Sequence, residues 1–194
     1  MQLYEGRQTM SDHTSRLGFF HHPRFYDQMN RVLRFRPLYT RTVADIARAG
    51  LPDGTRVLDA GTGPGRVPID LARRCPGLHI EGLDLSAEMI AYARRIAGPG
   101  SPVRFTAGDV ADLPYHDDTF DLIISTMSQH HWADARAGMR ELSRTLRPGG
   151  QVWIYDFRFF LRRAEVAARA VFDEHTFQRE PISALVGRLV VRPA

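Results

Sequence analysis

The stretch that most constrains this chain is Val57-Leu58-Asp59-Ala60-Gly61-Thr62-Gly63-Pro64-Gly65-Arg66. A short apolar run, read as a strand from Arg56 to Ala60, enters three glycines on alternate positions and then an amphipathic segment from Val67 to Arg74. Glycine reaches φ > 0 without strain and lets another group lie against the backbone where a β-carbon would clash. The amides that open the following helix point outward and favour a polar or anionic group. The acid stands ahead of the glycines, as D-x-G-x-G-x-G, whereas the dehydrogenase fingerprint is G-x-G-x-x-G. That spacing speaks against a nicotinamide-dependent dehydrogenase. A tight turn that holds no ligand is the plainer alternative.

The alternation begun there continues. Leu78 to Leu83 reads as a second strand, and Ser86 caps a helix through Ile96, since its hydroxyl can accept from a free amide of the first turn. Val103 to Phe105 is a third strand. Phe120 to Ser125 is a fourth, apolar enough to be buried on both faces. Ala133 to Leu146 reads as a helix stopped by Pro148-Gly149-Gly150, followed by a fifth strand from Gln151 to Phe157 and a helix from Arg162 to Phe172. Two short strands near Phe177 and Leu189 complete the pattern. Strand and helix in regular alternation mean a mostly parallel sheet covered on both faces. The first ~50 residues lack a strand signal. Phe25 to Ala49 reads as helix interrupted near Arg36-Pro37, a cap too short to bury a core of its own. With 194 residues, the expectation is one domain over 1–194: a cap over 1–50 and a ligand-binding core over 56–194.

Composition removes several chemistries. All 26 basic residues are arginine, because the chain has no lysine. A lysine Schiff base, a phosphate-loop lysine and a lysine general base are therefore excluded. A single cysteine, Cys75, leaves no multi-cysteine zinc or iron–sulfur site and no intrachain disulfide. The net charge of +4 is spread among 22 carboxylates rather than gathered in one basic run, so no nucleic-acid partner is expected. No stretch has the ~20 apolar residues that span a bilayer, and the first residues lack the apolar core of a signal peptide. The expectation is a cytoplasmic protein without a membrane partner.

Two further acids stand where ligands meet an α/β sheet. Asp84 follows the second strand, the position from which a carboxylate accepts hydrogen bonds from ribose hydroxyls. Gly108-Asp109-Val110 follows the third, where an acid can accept from an exocyclic amine. The plainer readings are a cap for the Ser86 helix and an ordinary turn.

Together with Phe120-Asp121-Leu122-Ile123-Ile124-Ser125 and Leu146-Arg147-Pro148-Gly149-Gly150, these motifs resemble the class I S-adenosylmethionine-dependent methyltransferases of the small-molecule type. The resemblance runs from about Arg56 to Phe157, with five motifs in register. It implies a doubly wound, Rossmann-like seven-stranded sheet in the order 3-2-1-4-5-7-6, with strand 7 antiparallel. It also implies S-adenosyl-L-methionine as methyl donor and S-adenosyl-L-homocysteine as product. Gly61, Gly63 and Gly65 would line the methionine part, with Asp59 orienting their loop. Asp84 would hold the ribose, Asp109 the adenine amine, and Leu85, Met89 and Val110 the purine. Backbone around Ser125 and Thr126 would face the sulfonium. No metal is required.

Methyl transfer from a sulfonium gains most from alignment and exclusion of water, and needs a base only where the acceptor must lose a proton. Ser128-Gln129-His130-His131-Trp132 follows the fourth strand, at the ligand-binding end of the sheet. His130 or His131 is the candidate base, with Trp132 beside them as a candidate acceptor contact. The segment Ser125-Thr126-Met127-Ser128 lacks the Asn/Asp-Pro-Pro-aromatic motif of nucleic-acid base methyltransferases. Phe25-Tyr26-Asp27-Gln28-Met29-Asn30 resembles the N-terminal segment of the quinone-ring C-methyltransferases, which makes Tyr26 and Met29 candidate acceptor contacts. The function expected is methyl transfer to a small organic acceptor. A quinone-ring C-methyltransferase and a catalytically silent partner subunit that binds the donor are the alternatives.

Overall fold

Every apolar run read as a strand joins one sheet. The computed structural model describes residues 36–194. Its elements in chain order are α1 (Arg36–Arg48), β1 (Arg56–Ala60), α2 (Arg66–Arg74), β2 (His79–Asp84), α3 (Ala87–Ala97), β3 (Arg104–Ala107) and β4 (Phe120–Thr126). A 3-10 turn (Gln129–His131), α4 (Ala135–Thr145), β5 (Leu146–Phe157), α5 (Arg158–Arg169), β6 (His175–Pro181) and β7 (Val186–Pro193) follow. The strand order is β3-β2-β1-β4-β5-β7-β6, as the resemblance implied. The first five strands run parallel, and β7 is antiparallel to both β5 and β6.

The two faces bury separate cores. α1, α2 and α3 cover one through Val43, Ile46, Val67, Leu71 and Ile90, against Val57, Leu122 and Ile124 of the sheet. α4 and α5 cover the other through Met139, Leu142, Leu161 and Ala168, against Leu58, Ile123 and Ile154. Successive strand residues therefore point to opposite cores, which is why β1 and β4 are buried at nearly every position. Consecutive crossovers change face between β1 and β4, so the strand order reverses there and a crevice opens at the carboxyl ends of these two strands.

The interruption expected near Arg36-Pro37 falls at the edge of the described residues, where Pro37 lies in the first described turn of α1. Two local details differ from the sequence reading. Pro148-Gly149-Gly150 does more than stop a helix. β5 already pairs at Leu146 with Phe120, and a register shift absorbs Arg147 to Gly150 before Gln151 meets Leu122. This is a bulge, with Gly149 at φ 85°. α5 begins at Arg158, directly after β5, and ends at Arg169. α1 is fastened to the sheet by Asp45, which accepts from Tyr155 Oη at 3.3 Å and pairs with Arg188 at 3.4 Å. Tyr39 is buried in the same core cluster and so serves packing. Phe25, Tyr26 and Met29 lie outside the described residues.

Candidate active site at the carboxyl ends of the strands

The glycine turn is pinned before it meets any ligand. Gly61 and Thr62 both donate their amides to the Leu83 carbonyl at 2.8 Å, tying the turn to the end of β2. Gly61, Gly63 and Gly65 have φ of 77°, 54° and 74°, the left-handed region that a side chain disfavours. A β-carbon on Gly61 would fall 1.7 Å from Ser128 Oγ in the turn beyond β4. At Gly65 it would fall 2.7 Å from the Phe105 ring and 2.9 Å from Ala93. The third glycine therefore serves close helix–strand packing, whereas the sequence reading had placed all three along the ligand.

Asp84 ends β2 and clamps the turn. Its Oδ2 accepts from the Gly63 amide at 2.7 Å and its Oδ1 from the Ser86 amide at 2.9 Å. Ser86 caps α3 as expected, accepting from Met89 N at 3.3 Å. Asp59 is 2% exposed; its Oδ2 accepts from Thr62 Oγ1 at 2.7 Å, while its Oδ1 has no partner. Burial pushes the Asp59 carboxyl up to about 7, the nearby Asp84 charge adds to this, and the Thr62 hydroxyl opposes it. Ser125 Oγ, at the end of β4, is likewise buried without a partner.

These features suit S-adenosyl-L-methionine. Asp59 Oδ1 is an acceptor awaiting a donor such as the amino acid ammonium, and a cation there would relieve the cost of a buried charge. Leu85 is 64% exposed beside Asp84, as an apolar contact for a purine must be. Val110 is buried and Met89 is 3% exposed, so both form floor rather than rim. Asp109 is exposed and turns one oxygen onto the Ala111 amide at 2.9 Å.

Beyond β4 the chain turns sharply. Met127, a non-glycine residue at φ 55°, sends Ser128 to Trp132 across the end of the sheet. Such a conformation persists only where surrounding structure enforces it; here the Met127 amide donates to the Tyr155 carbonyl at 2.8 Å. Trp132 donates from Nε1 to Ser128 Oγ at 3.1 Å. Its ring lies so close to Gly138 of α4 that a β-carbon there would meet it at 2.7 Å. Trp132 thus packs between the turn and α4. His131 is exposed. His130 is held by a residue the sequence reading did not single out: Asp156, fully buried near the end of β5, lies 2.8 Å from His130 Nδ1. Phe160 stacks parallel to the His130 ring at 4.7 Å and 5°. An acid closing a strand next to β4 was visible in Ile154-Tyr155-Asp156-Phe157, but its partner was not.

Among the described residues no group of three or more His, Cys, Asp or Glu is placed to hold a metal ion, and no helix is long and apolar enough to cross a membrane. A groove of about 680 Å³ lies between α5 and the β6–β7 turn, with Phe159, Leu185 and Arg162 on its walls.

Comparison with known proteins points the same way. The family described as "Methyltransferase domain" matches residues 57–150. The chain is 36% identical to a demethylmenaquinone methyltransferase of Thermus thermophilus over 135 residues, covering 68% of this chain and 60% of that protein. It is 34% identical to a ubiquinone/menaquinone biosynthesis C-methyltransferase of Geotalea daltonii over 139 residues, covering 68% of this chain and 58% of the relative. The chain thus spans somewhat over half the length of these curated relatives. A candidate S-adenosyl-L-methionine-dependent methyltransferase from Methanococcus maripaludis shares the fold, with TM-score 0.76 at 18% identity over 100% of this chain and 98% of that one.

Proposed function

We propose that this chain, whose core over residues 57–150 belongs to the class I S-adenosylmethionine-dependent methyltransferases, transfers a methyl group from S-adenosyl-L-methionine to a small organic acceptor. The observation that carries this reading is the glycine turn, held open at the β1/β4 reversal and clamped by Asp84 at Gly63. Asp84 and the turn amides would hold the ribose and methionine parts, and Asp59 the ammonium. Once bound, the donor supplies an electrophilic methyl on a positively charged sulfur. The residues around it need only align the acceptor and exclude water.

A quinone ring as acceptor is favoured by the names of the relatives, which act on demethylmenaquinone or in ubiquinone and menaquinone biosynthesis. Incubation with methyl-labelled donor and host extract tests the reading. Label should move into an extractable organic product with release of S-adenosyl-L-homocysteine. A protein that binds S-adenosyl-L-homocysteine in a calorimeter yet moves no label is a silent binding subunit. Binding of NADH in preference to it would return the glycine turn to dehydrogenase chemistry.

A further inference from the structure

Asp156 is the buried acid that the donor site does not use. Its Oδ1 accepts from the Phe157 amide at 2.8 Å, and its Oδ2 faces both His130 Nδ1 at 2.8 Å and the His130 amide at 3.3 Å. Among the described residues no arginine pairs with it, so His130 is the one side chain able to offset its charge. A carboxylate at Nδ1 holds the proton on that nitrogen and leaves the lone pair on Nε2. The Phe160 ring, parallel at 4.7 Å, fixes the plane of the imidazole. The His130 side chain keeps 12% exposure, so it can be reached from outside, while Asp156 has none. Once Nε2 gains a proton, the imidazolium and the buried carboxylate become an ion pair, which makes the buried charge less costly than at rest.

We propose that His130 accepts the proton of an aryl hydroxyl on the methyl acceptor, with Asp156 as its positioning residue. The inference rests on the methyltransferase reading and narrows its acceptor to weakly acidic aromatic compounds. In the step, the hydroxyl O–H bond breaks and its proton goes to His130 Nε2. The resulting aryl oxide attacks the methyl carbon through oxygen or ring carbon, and the sulfur–methyl bond breaks with its electron pair left on sulfur. Attack through carbon is completed when the displaced ring proton returns to the oxygen. One proton is released per methyl transferred, and the donor leaves as the neutral thioether. Phe157 and Phe160, with ring centres 6.2 and 4.7 Å from His130, supply an aromatic wall suited to a flat acceptor.

Among the described residues, the titratable groups facing His130 are Asp156 from β5 and His131 from its own turn. α5, packed alongside, presents Phe160, while its Arg158 reaches away to the Ala184 carbonyl at 3.3 Å.

The test uses the full chain, labelled S-adenosyl-L-methionine and 1,4-naphthohydroquinone as probe acceptor. The wild-type rate should show a one-proton acid limb. In His130→Gln and Asp156→Asn the rate should fall by about 10²-fold or more, and the limb should vanish from His130→Gln. S-adenosyl-L-homocysteine affinity should stay within about threefold of wild type. Nitrogen-15 spectra of wild type should place the His130 proton on Nδ1, and Asp156→Asn should redistribute it. A wild-type His130 protonated on Nε2 instead, or unchanged turnover in His130→Gln, overturns the proposal even if Asp156→Asn fails to fold. Wild-type transfer to a primary amine but not to the hydroquinone overturns the acceptor class. A protein that fails to bind S-adenosyl-L-homocysteine overturns the methyltransferase reading itself.

Discussion

The two sides of the crevice are built by different means. On the β1–β2 side, the turn from Gly61 to Gly65 is held by main-chain amides on the Leu83 carbonyl and the Asp84 carboxylate. On the β4–β5 side, the groups that could act on an acceptor are side chains: His130, Asp156 and Phe160, from three elements. Backbone geometry tolerates most changes of neighbouring residue, so it suits the holding of a ligand common to a whole family. Side-chain constellations change with one substitution, so they suit the part of the site that distinguishes acceptors. A change on the first side should therefore abolish donor binding. A change on the second should spare binding and alter turnover.

The largest effect expected on the first side is from Gly61→Ala. Strain at φ 77° costs roughly 1–2 kcal/mol, and the new β-carbon overlaps Ser128 Oγ. Binding of S-adenosyl-L-homocysteine should be lost and the melting temperature lowered. Adding Ser128→Gly should recover the part of the melting temperature due to overlap and leave the part due to strain. No recovery at all would mean that Ser128 is not what demands glycine there.

Next comes Asp84→Ala, which removes the acceptor for the Gly63 and Ser86 amides. Affinity for S-adenosyl-L-homocysteine should fall by about 1.5–3 kcal/mol, the range for hydrogen bonds to a charged group. Titration calorimetry reads this directly. Unchanged affinity would remove Asp84 from the donor site and leave it as a clamp only.

The smallest effect is that of Asp59 on the stability of the free protein. Its folded carboxyl titrates at about 7 against an ordinary 3.8. The folded state thus holds a proton that the unfolded state has lost between these values, and stability falls as pH rises through that window. Asp59→Asn removes the decline. Its melting temperature relative to wild type should climb from about pH 4 to 7 and level off above. A gap that stays constant across this range would show that Asp59 is not protonated by its burial. The same variant should bind S-adenosyl-L-homocysteine less tightly, because an amide carries no negative charge to meet the ammonium.

The halves of the crevice also differ in how far they could be read beforehand. Asp59, the glycines, Asp84 and Ser86 lie at strand ends and helix starts, where residue type and position along the chain dictate the local geometry. Their spacing alone placed them at one end of the sheet, and the cap at Ser86 formed with the expected amide. The exchange of duties among the glycines was not legible. Gly61 and Gly65 look alike in sequence, yet a β-carbon on Gly65 would meet Phe105 and Ala93 and one on Gly61 would meet Ser128. Trp132 likewise read as an acceptor contact and instead packs against Gly138 and binds Ser128.

What the sequence determined by itself is the βα alternation and the placing of Asp59, the glycines and Asp84 at strand ends; the sheet order came only as what the family resemblance implies. The alternation and the strand-end positions follow from local hydrophobic period and turn chemistry, which act over a few tens of residues. Only the tertiary structure decided that His130 meets Asp156, 26 residues further along, and that Gly61 meets Ser128. Those contacts depend on β1, β4 and β5 lying side by side in register and on the turn at Met127. No periodicity records the distance between the ends of neighbouring strands, because that distance is set by the packing of the whole sheet between its two helical layers.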